Sequence, residues 1–412
     1  MRILWVCNII IPRIAKELNA EIRNIGGWLT GICDSLINDE EISLSICFPF
    51  VKNIRGEVDS ISYFGFQQGS TKEMLEIINA SSPDVIHIWG TEFSHSRHML
   101  EAANISNLLD NTIVSIQGLI SVYARHFYSG LPFSVTQRFT IRDFIKMDNI
   151  ALQRRSFMKR GIDEIDALKL SRNFIGRTDW DRACTQRINP EANYYVCNES
   201  LRSTFYINAG KWEPNKCNRH TIFVSQSHYP IKGFHIMLEA MIDIVKEYPD
   251  AKLFTTGINP MINGLKPMIH KTYYNKYISK LIKKYQLQDH VFFLGSLDEK
   301  AMCEQFLKAN VFVSCSSIEN SSNSVGEAML VGTPIVSSDV GGIHNLLQFQ
   351  KEGFLYPFNE PYMCAYYINK IFSDDELAMR LSKNANLHAC KTHDLVANKN
   401  ELMKIYREIS RC

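Results

Sequence analysis

The chain has 412 residues, 45% of them hydrophobic, and a formal net charge of +2 at pH 7. This length exceeds one ordinary core and fits two domains of roughly 200 residues each. The composition excludes a disordered chain, and the near-neutral charge gives no support to a nucleic-acid partner. Eleven cysteines, an odd number without a Cys-x-x-Cys spacing, are typical of reduced thiols, so we expect a cytoplasmic protein.

The amino-terminal half alternates short β-branched runs with longer amphipathic stretches. The opening ILWVC predicts a strand, because no small-residue cleavage site of a signal peptide follows it. A helix is predicted from Trp28 to Leu36, and further strands at ISLSICF, VIHIW, TIVSIQ, NFIG and YYVC. No apolar run approaches the ~20 residues that a transmembrane helix needs. The alternation is typical of a doubly wound parallel sheet.

A polar interval over residues 209–220, AGKWEPNKCNRH, interrupts this pattern. The pattern then restarts with TIFVSQ, AKLFTTG, VFFLG, VFVSC and PIVSSD. We therefore predict two Rossmann-like α/β domains, residues 1–208 and 209–392, that face one another across a cleft. The ligand is expected at the carboxyl ends of the second domain's strands. Residues 393–412 are predicted to form a helix that packs back toward the first domain.

Two glutamates, Glu319 and Glu327, lie eight positions apart in a predicted strand–loop–helix turn. VFVSCS predicts the strand, residues 320–323 the polar loop and residues 324–331 the helix. The amino terminus of such a helix directs unpaired N–H groups and a positive dipole end beyond the strand, which favours an anionic phosphate. Ser324-x-x-Glu327 also fits a capping box that only stabilises the helix, and a loop glutamate such as Glu319 is commonly solvated.

This segment resembles the Glu-x7-Glu motif of retaining glycosyltransferase family 4, in the variant common among bacterial surface-polysaccharide enzymes. The matching residues are Glu319, Glu327-Ala328-Met329, Gly332-Thr333-Pro334 and Val340-Gly341-Gly342. The loop departs from the family, because Asn320-Ser321-Ser322-Asn323-Ser324 stands where Gly-Phe-Gly is common. The resemblance implies the two-domain GT-B fold. It also implies that Glu319 binds the donor sugar's hydroxyls and Glu327 the nucleotide's ribose hydroxyls.

Lys232 follows the first strand of the second domain and is a candidate ligand for the donor's diphosphate. A lysine at a helix start can neutralise a phosphate as a point charge, although such a lysine is often only solvated. The family commonly has an arginine five residues before a Lys-Gly pair; Lys232-Gly233 matches, but Ser227 occupies the arginine position. The resemblance therefore assigns the diphosphate to Lys232 with the helix end. The predicted donor-binding residues are Ser227, Asn323, Ser324, Val325, Gly295 and Leu297, the last two from a segment whose backbone meets the base in the family.

On the acceptor side, the resemblance points to Gly26, Gly27, Gln117 and Arg177. Gly26-Gly27 resembles a glycine loop in which missing side chains let the backbone approach phosphate and acceptor, and an ordinary turn before a helix explains the pair equally well. Gln117 stands where many family members have a histidine near the reacting sugar, and it cannot titrate. Arg177 is a candidate for an acceptor phosphate or for a structural salt bridge.

Several further features have competing explanations. His87 and His95 are candidates for a pocket edge, although a strand histidine is commonly a satisfied core residue. Asp179 and Asp181 form an Asp-x-Asp like that of metal-dependent glycosyltransferases, but the predicted two domains and the Glu-x7-Glu motif argue against it. Residues 123–187 combine cations with aromatics, which predicts peripheral contact with an anionic membrane; the interspersed acidic residues fit a solvated helix face as well.

The resemblance implies a retaining, metal-independent hexosyltransferase without a cofactor. It would transfer a sugar from a nucleoside diphosphate sugar, with UDP favoured, to a glycan or polyprenyl-diphosphate-linked acceptor in capsule or O-antigen biosynthesis. We expect it in the cytoplasm or at the inner face of the plasma membrane, with no nucleic-acid partner. Three alternatives stay open: a nucleotide-sugar epimerase, a sugar phosphorylase, and a non-catalytic nucleotide-sugar-binding protein in which Ser227 and Gln117 replace reactive groups.

Overall fold

The structure is a computed structural model that describes residues 1–21, 26–37, 39–262 and 271–410. Its residues form two compact units that interleave along the chain. Unit 1 comprises Met1–Val122, Met158–Arg202 and Thr392–Cys412, and unit 2 comprises Tyr123–Phe157 and Ser203–Lys391. Two stretches that the sequence assigned to the first domain, residues 123–157 and 203–208, therefore cluster with unit 2.

Unit 1 is built on an eight-stranded sheet. Its strands are β1 (Arg2–Val6), β2 (Ser43–Pro49), β3 (Ile54–Val58), β4 (Ile61–Phe66), β5 (Val85–Trp89), β6 (Thr112–Ser115), β7 (Asn173–Gly176) and β8 (Asn193–Val196). They lie in the order β3-β4-β2-β1-β5-β6-β7-β8, and only the edge pair β3–β4 is antiparallel. The order reverses between β1 and β5, which makes their carboxyl ends the topological switch point of this sheet.

Unit 2 contains a six-stranded parallel sheet. Its strands are β9 (Thr221–Val224), β10 (Lys252–Thr255), β11 (Val291–Phe293), β12 (Val311–Ser314), β13 (Ile335–Ser338) and β14 (Phe354–Tyr356). They lie in the order β11-β10-β9-β12-β13-β14. Every residue of β9, β12 and β13 is buried, as expected for parallel strands covered on both faces. The switch point of this sheet lies between β9 and β12.

Helices connect these strands in both units. The described helices are, in chain order, α1 (Pro12–Glu17), α2 (Gly27–Leu36), α3 (Thr71–Ser81), α4 (Ser94–Ile105), α5 (Ile120–His126), α6 (Phe133–Thr136), α7 (Ile141–Lys146), α8 (Ile150–Leu170), α9 (Asp179–Ile188), α10 (Ser203–Ile207), α11 (Phe234–Glu247), α12 (Tyr273–Lys284), α13 (Glu299–Lys308), α14 (Asn323–Val331), α15 (Ile343–Leu346), α16 (Pro361–Ser373), α17 (Asp375–Thr392) and α18 (Leu395–Ile409). The division between the units falls inside α5 and α8, just before α10, and at the last residue of α17. No helix within the described ranges combines the length and apolar composition that crossing a bilayer requires.

The carboxyl-terminal helix α18 contributes to the core of unit 1. Tyr406 on this helix accepts a hydrogen bond from Trp5 Nε1 at 3.0 Å, and its hydroxyl lies 2.5 Å from His87 Nδ1. His87 Nε2 lies 2.7 Å from Ser115 Oγ. Burial lowers the pKa of His87 far below its ordinary value. His87 is therefore a hydrogen-bonded core residue.

The predicted fold class is confirmed, since both units are α/β layers on parallel sheets. The sequence did not predict β3, β4 or β14. Three of the five residues of β3 are exposed, because the strand lies at the sheet edge, and β14 has only three residues. Neither β3 nor β14 gives the long buried apolar run that identifies a central strand.

Candidate functional site

A polar cavity of about 190 Å³ lies at the switch point of unit 2. Most of the side chains that line it are polar. The lining residues are Val224, Ser225, Gln226, Lys232, Val313, Ser314, Cys315, Ser316, Glu319, Ser321, Ser322, Asn323 and Ser324. The carboxyl ends of β9 and β12 and the start of α14 therefore meet around one cavity.

Lys232 and Glu319 form an ion pair in this cavity. Lys232 Nζ donates to Glu319 Oε1, and the two side chains are 21% and 11% exposed. Ser316 Oγ donates to the same carboxylate oxygen at 2.8 Å. Burial alone would lower the pKa of Lys232, but the attraction of Glu319 outweighs it and the pKa is raised. The structure therefore holds Lys232 as a cation.

Gly233 fixes the position of Lys232 against the end of β12. Residues Pro230–Lys232 form a 3₁₀ turn, and Gly233 follows with φ +65°. A Cβ on Gly233 would lie 1.7 Å from the carbonyl oxygen of Cys315. Two hydrogen bonds hold the same contact, from Ser317 N to Ile231 O at 2.7 Å and from Cys315 Sγ to Lys232 O at 3.2 Å. The Lys-Gly pair therefore needs its glycine for a close approach of two backbone segments.

A second glycine pair holds the backbone of Glu319. Gly342 N donates to Glu319 O at 3.0 Å. Gly341 has φ +56°, and a Cβ at that position would lie 1.9 Å from the same oxygen. A side chain on Gly341 would displace the loop that carries Glu319. The Val-Gly-Gly sequence thus has a structural reason at this site.

Helix α14 begins one residue earlier than predicted. Its N-cap is Ser322, which makes no side-chain capping hydrogen bond, and Ser324 lies inside the helix. The capping box offered as an explanation of Ser324-x-x-Glu327 is therefore wrong. Val325 N and Gly326 N both donate to Ser322 O, at 3.0 and 3.1 Å. The amides of Asn323 and Ser324 precede these bonds, at positions where helix N–H groups need partners from outside the helix.

The other predicted donor residues lie away from this lining. Glu327 is 4% exposed and, within the described chain, is not among the residues that line the cavity. Ser227 is also buried, and its hydroxyl donates to Thr256 O at 2.7 Å. Gly295 pairs with Gly257 after the ends of β11 and β10, with Gly257 N donating to Gly295 O at 2.9 Å. Leu297 is half-buried just before α13.

Gln117 and Arg177 meet in unit 1 at Glu199, which was not among the predicted residues. Arg177 Nη1 lies 2.6 Å from Glu199 Oε2, and these side chains are 5% and 9% exposed. Gln117 Nε2 donates to Glu199 Oε1. The salt bridge considered for Arg177 is therefore present. Glu199 follows β8 closely, so its place beyond a strand's carboxyl end was the signal that marked it.

The predicted glycine loop precedes α2 in unit 1. Gly26 is the N-cap of this helix with φ +72°. A Cβ on Gly26 would lie 1.9 Å from Ile9 Cδ1, and one on Gly27 would lie 2.3 Å from Arg202 Cγ. Both glycines thus have a packing role in unit 1.

A polar cluster at the switch point of unit 1 also escaped prediction, apart from His95. Asn8 Nδ2 donates to Glu92 Oε2 at 3.0 Å, and Asn8 Oδ1 lies 2.8 Å from His95 Nε2. Burial raises the pKa of Glu92 to about 7. Burial also lowers the pKa of His95 to about 4. Glu92 directly follows the buried run VIHIWG and a threonine, which was the available signal.

The Asp-x-Asp sequence serves helix α9. Asp181 is fully buried; its carboxylate accepts hydrogen bonds from Arg177 N at 3.1 Å and from the Tyr194 hydroxyl. Its own N–H donates to Thr178 Oγ1, the N-cap of the helix. Elsewhere too, the described residues contain no group of three His, Cys, Asp or Glu side chains arranged to hold a metal ion.

Comparison with solved structures identifies the fold. Over 99% of both chains, the structure is similar to sucrose-phosphate synthase from Thermosynechococcus elongatus, with a TM-score of 0.69 and 16% identity. It is similar to Anabaena HepE in complex with UDP over 99% of this chain and 100% of that one, with a TM-score of 0.67 and 15% identity. The fold is GT-B. At these identities the likeness concerns the fold alone.

The sequence comparisons match the part of this GT-B chain that lies in unit 2. Residues 209–388 match the family model described as glycosyl transferases group 1. The putative glycosyltransferase YtcC of Bacillus subtilis is 28% identical over 183 residues, which are 44% of this chain and 43% of that protein. The chain thus spans less than half the length of the curated relatives it matches. The family match contains Lys232, Glu319 and Glu327.

Proposed function

We propose that this protein is a retaining glycosyltransferase that uses a nucleoside diphosphate sugar. The observation that carries the proposal is the Lys232–Glu319 pair beside the start of α14 at the switch point of unit 2. A half-buried cation and a helix amino terminus together favour a diphosphate. A carboxylate next to them accepts hydrogen bonds from sugar hydroxyls.

The comparisons support this choice of reaction and donor. The group 1 glycosyl transferase model covers all the residues of the cavity. HepE, which has the same fold, is described in complexes with UDP, with UDP-glucose, and with UDP and glucose. We therefore favour a UDP-sugar as the donor. The resemblance to the Glu-x7-Glu motif supports retention of the anomeric configuration.

In the proposed reaction, the bond between the anomeric carbon and the diphosphate breaks while a bond to the acceptor oxygen forms. Negative charge develops on the leaving diphosphate, so Lys232 and the amides of Asn323 and Ser324 stabilise the transition state more than the ground state. Glu319 orients the sugar hydroxyls, and Glu327 binds the ribose hydroxyls. The departing phosphate takes the acceptor's proton on the same face. Lys232 supplies the positive charge, and we propose no metal or other cofactor.

The remaining predicted residues have supporting roles in the proposal. On the donor side, Gly295 and Leu297 offer backbone to the base, while Val325 and Ser227 hold the surrounding main chain. On the acceptor side the proposal retains the residues predicted from the sequence, which are Gly26, Gly27, Gln117 and Arg177. Their packing and salt-bridge contacts make them positioning groups in the free protein.

We further propose a glycan or polyprenyl-diphosphate-linked acceptor in capsule or O-antigen synthesis. This rests on the likeness of the motif to bacterial surface-polysaccharide enzymes. Such an acceptor requires a cytoplasmic protein that contacts the inner face of the plasma membrane. The basic and aromatic region 123–187 supports that contact.

The donor site is tested first by thermal unfolding of the purified protein with UDP, GDP, ADP and CMP. A ligand at ~100 times its dissociation constant stabilises the folded state by ~2.7 kcal/mol, which is a shift of a few degrees at this size. Lys232→Ala and Glu327→Ala should each lose that shift. Lys246→Ala is the control, because Lys246 lies on the exposed side of α11 in a surface pair with Asp243. No shift with any of these nucleotides would reject the donor site.

The reaction is tested next with the UDP-sugars and a hydroxylated acceptor, followed by NMR of the anomeric proton. Retention of configuration in a transfer product supports the proposal. A free epimer formed without acceptor would identify an epimerase, and turnover that requires inorganic phosphate would identify a phosphorylase. Nucleotide binding without turnover across all donors would identify a non-catalytic binding protein. Ser227 in the usual arginine position, together with Gln117, is the reason for considering that alternative.

A further inference from the structure

Residues 133–147 of unit 2 expose an unusual number of large apolar side chains. Six of the 22 exposed large hydrophobic side chains in the described chain fall within these 15 residues, with exposed fractions from 59% to 78%. They are Phe133, Phe139, Ile141, Phe144, Ile145 and Met147. Single exposed hydrophobics are normal on a protein surface, whereas a contiguous group indicates an interaction surface. We name residues 133–147 the apolar segment.

The short helix α7 in this segment buries a polar side chain and exposes apolar ones, which is the reverse of an ordinary surface helix. Its buried residue is Asp143, which is 1% exposed, while Ile141, Phe144 and Ile145 point to solvent. Asp143 Oδ2 accepts hydrogen bonds from Tyr273 N at 2.7 Å and Thr140 N at 3.0 Å. A helix that covers a soluble core turns its apolar side inward. Here the polar side is anchored and the apolar side is presented.

Further contacts hold the apolar segment in place. Thr140 Oγ1 donates to Lys271 O at 2.9 Å. Val135 and Thr136 of α6 are buried. Arg142 Nη1 lies 2.6 Å from Asp148 Oδ1. The exposure of the apolar side chains therefore belongs to a segment with defined tertiary contacts.

Residues 123–157, which contain the apolar segment, carry an excess of positive charge. Residues 123–157 contain six Lys or Arg and two Asp or Glu, a net +4 in a chain whose total is +2. Both acidic residues, Asp143 and Asp148, are already engaged with groups of unit 2. The cations Arg125, Arg138, Lys146 and Arg155 are exposed. The rest of the chain is net negative, so the excess cations are concentrated in residues 123–157, which contain the apolar segment.

We propose that the apolar segment inserts its side chains into the boundary between head groups and acyl chains of an anionic lipid bilayer, while the flanking cations contact lipid phosphates. Apolar side chains bordered by Lys and Arg are the combination that binds such a surface. A second copy of the chain fits less well, because an isologous contact would bring two surfaces of net positive charge together. This inference deepens the membrane contact proposed above by naming the side chains that make it, and it does not depend on the transferase activity.

The test is co-sedimentation of the full-length protein with vesicles of phosphatidylcholine alone or with about one-third phosphatidylglycerol. The wild type should sediment with the anionic vesicles, and binding should fall as salt is raised. Phe144→Ser/Ile145→Ser should weaken partitioning about tenfold or more, since two apolar anchors are lost. Ile207→Ser/Leu387→Ser is the matched control, because these side chains of unit 2 are 70% and 63% exposed outside the segment. The control should bind like the wild type.

A second measurement does not rely on loss of binding. In Phe144→Trp, brominated lipids should quench the new tryptophan, whereas in Leu387→Trp the fluorescence should be unaffected. Equal binding by the serine double variant and the wild type, or no quenching in Phe144→Trp, would overturn the proposal. Sedimentation equilibrium without lipid distinguishes the other occupant: a wild-type dimer that Phe144→Ser/Ile145→Ser dissociates, without vesicle binding, would assign the surface to a second copy instead. Donor-dependent thermal shifts in the same variants report the transferase site separately.

Discussion

The two switch points of this molecule share a topological position and differ in their chemistry. In unit 2 the ends of β9 and β12 meet Lys232, Glu319 and the start of α14 around an open polar cavity. In unit 1 the ends of β1 and β5 meet Asn8, Glu92 and His95, which hydrogen-bond to one another. The hydrogen bonds among these three residues involve no Lys or Arg. Burial disfavours a charge on Glu92 or His95.

The difference teaches that sheet topology decides where a ligand binds, while side chains decide which ligand. A cation held by a carboxylate beside a helix amino terminus suits an anion that carries hydroxyl groups. A cluster of groups that burial keeps close to neutral suits uncharged hydroxyl groups. The predictions below change one element of this comparison at a time.

The largest effect is expected when the carboxylate of the unit 2 site is removed. Glu319→Ala should reduce turnover about 100-fold or more, because a preorganised group at the reacting centre is lost and Lys232 loses its partner. Glu352→Ala is the matched control: Glu352 is another buried glutamate of unit 2, 2.9 Å from His388 Nδ1. Both variants should lose stability in urea unfolding. Equal losses of turnover in the two variants would show that Glu319 acts only through the fold.

The backbone contact beneath Lys232 is expected to give the next largest effect. Gly233→Ala should lower the free energy of unfolding by about 3 kcal/mol, since the new Cβ meets the Cys315 carbonyl in a left-handed backbone conformation. Gly295→Ala separates the steric clash from the cost of the left-handed backbone, because Gly295 has φ +74° and nothing within 4 Å of an added Cβ. It should cost only about 1 kcal/mol. Similar urea midpoints for the two variants would contradict the contact.

The unit 1 switch point should give a pH-dependent effect. Glu92 has a pKa of about 7 in the folded protein against an ordinary 4.5. Between these values the folded state keeps a proton that the unfolded state has lost, so stability falls as pH rises through this window. Glu92→Gln should remove about 2 kcal/mol of that fall, a value reduced for partial exposure.

The control for this measurement is His95, whose pKa is lowered to about 4. Its unfolded state binds the extra proton below the ordinary value of 6.5, so its contribution to stability rises with pH through that window. His95→Asn should therefore change the pH dependence with the opposite sign. Urea unfolding across this pH range measures both variants. If the free energy of unfolding of Glu92→Gln varied with pH in parallel with the wild type, Glu92 would lie in a less buried environment.

The smallest effect is expected at Ser227. Ser227→Ala should lower the free energy of unfolding by about 1 kcal/mol, because the hydrogen bond to Thr256 O is lost. The dissociation constant of the nucleotide should change little if the hydroxyl only holds the main chain. Calorimetric titration with UDP measures it. A clear loss of affinity at unchanged stability would give Ser227 a direct donor contact.

Much of the fold and part of the site could be predicted because they depend on local patterns. Buried parallel strands are continuous apolar runs, so most of them were recognised in the sequence, whereas the exposed edge strand β3 was not. The spacing of the two glutamates and the Lys-Gly pair pointed to Lys232 and Glu319, which the structure brings together at one cavity. The first turn of α14 was misplaced by one residue, because several neighbouring Ser and Asn residues are equally good caps.

The sequence by itself determined two α/β domains, the candidate residues Lys232 and Glu319, and the concentration of cations with aromatics after residue 123. Only the tertiary structure decided that residues 123–157 join unit 2, that Glu199 links Gln117 to Arg177, and that the apolar segment faces solvent. The reason is physical. Strand and helix patterns are set by neighbours along the chain, whereas burial and pairing depend on residues far apart in sequence, whose positions no local pattern contains.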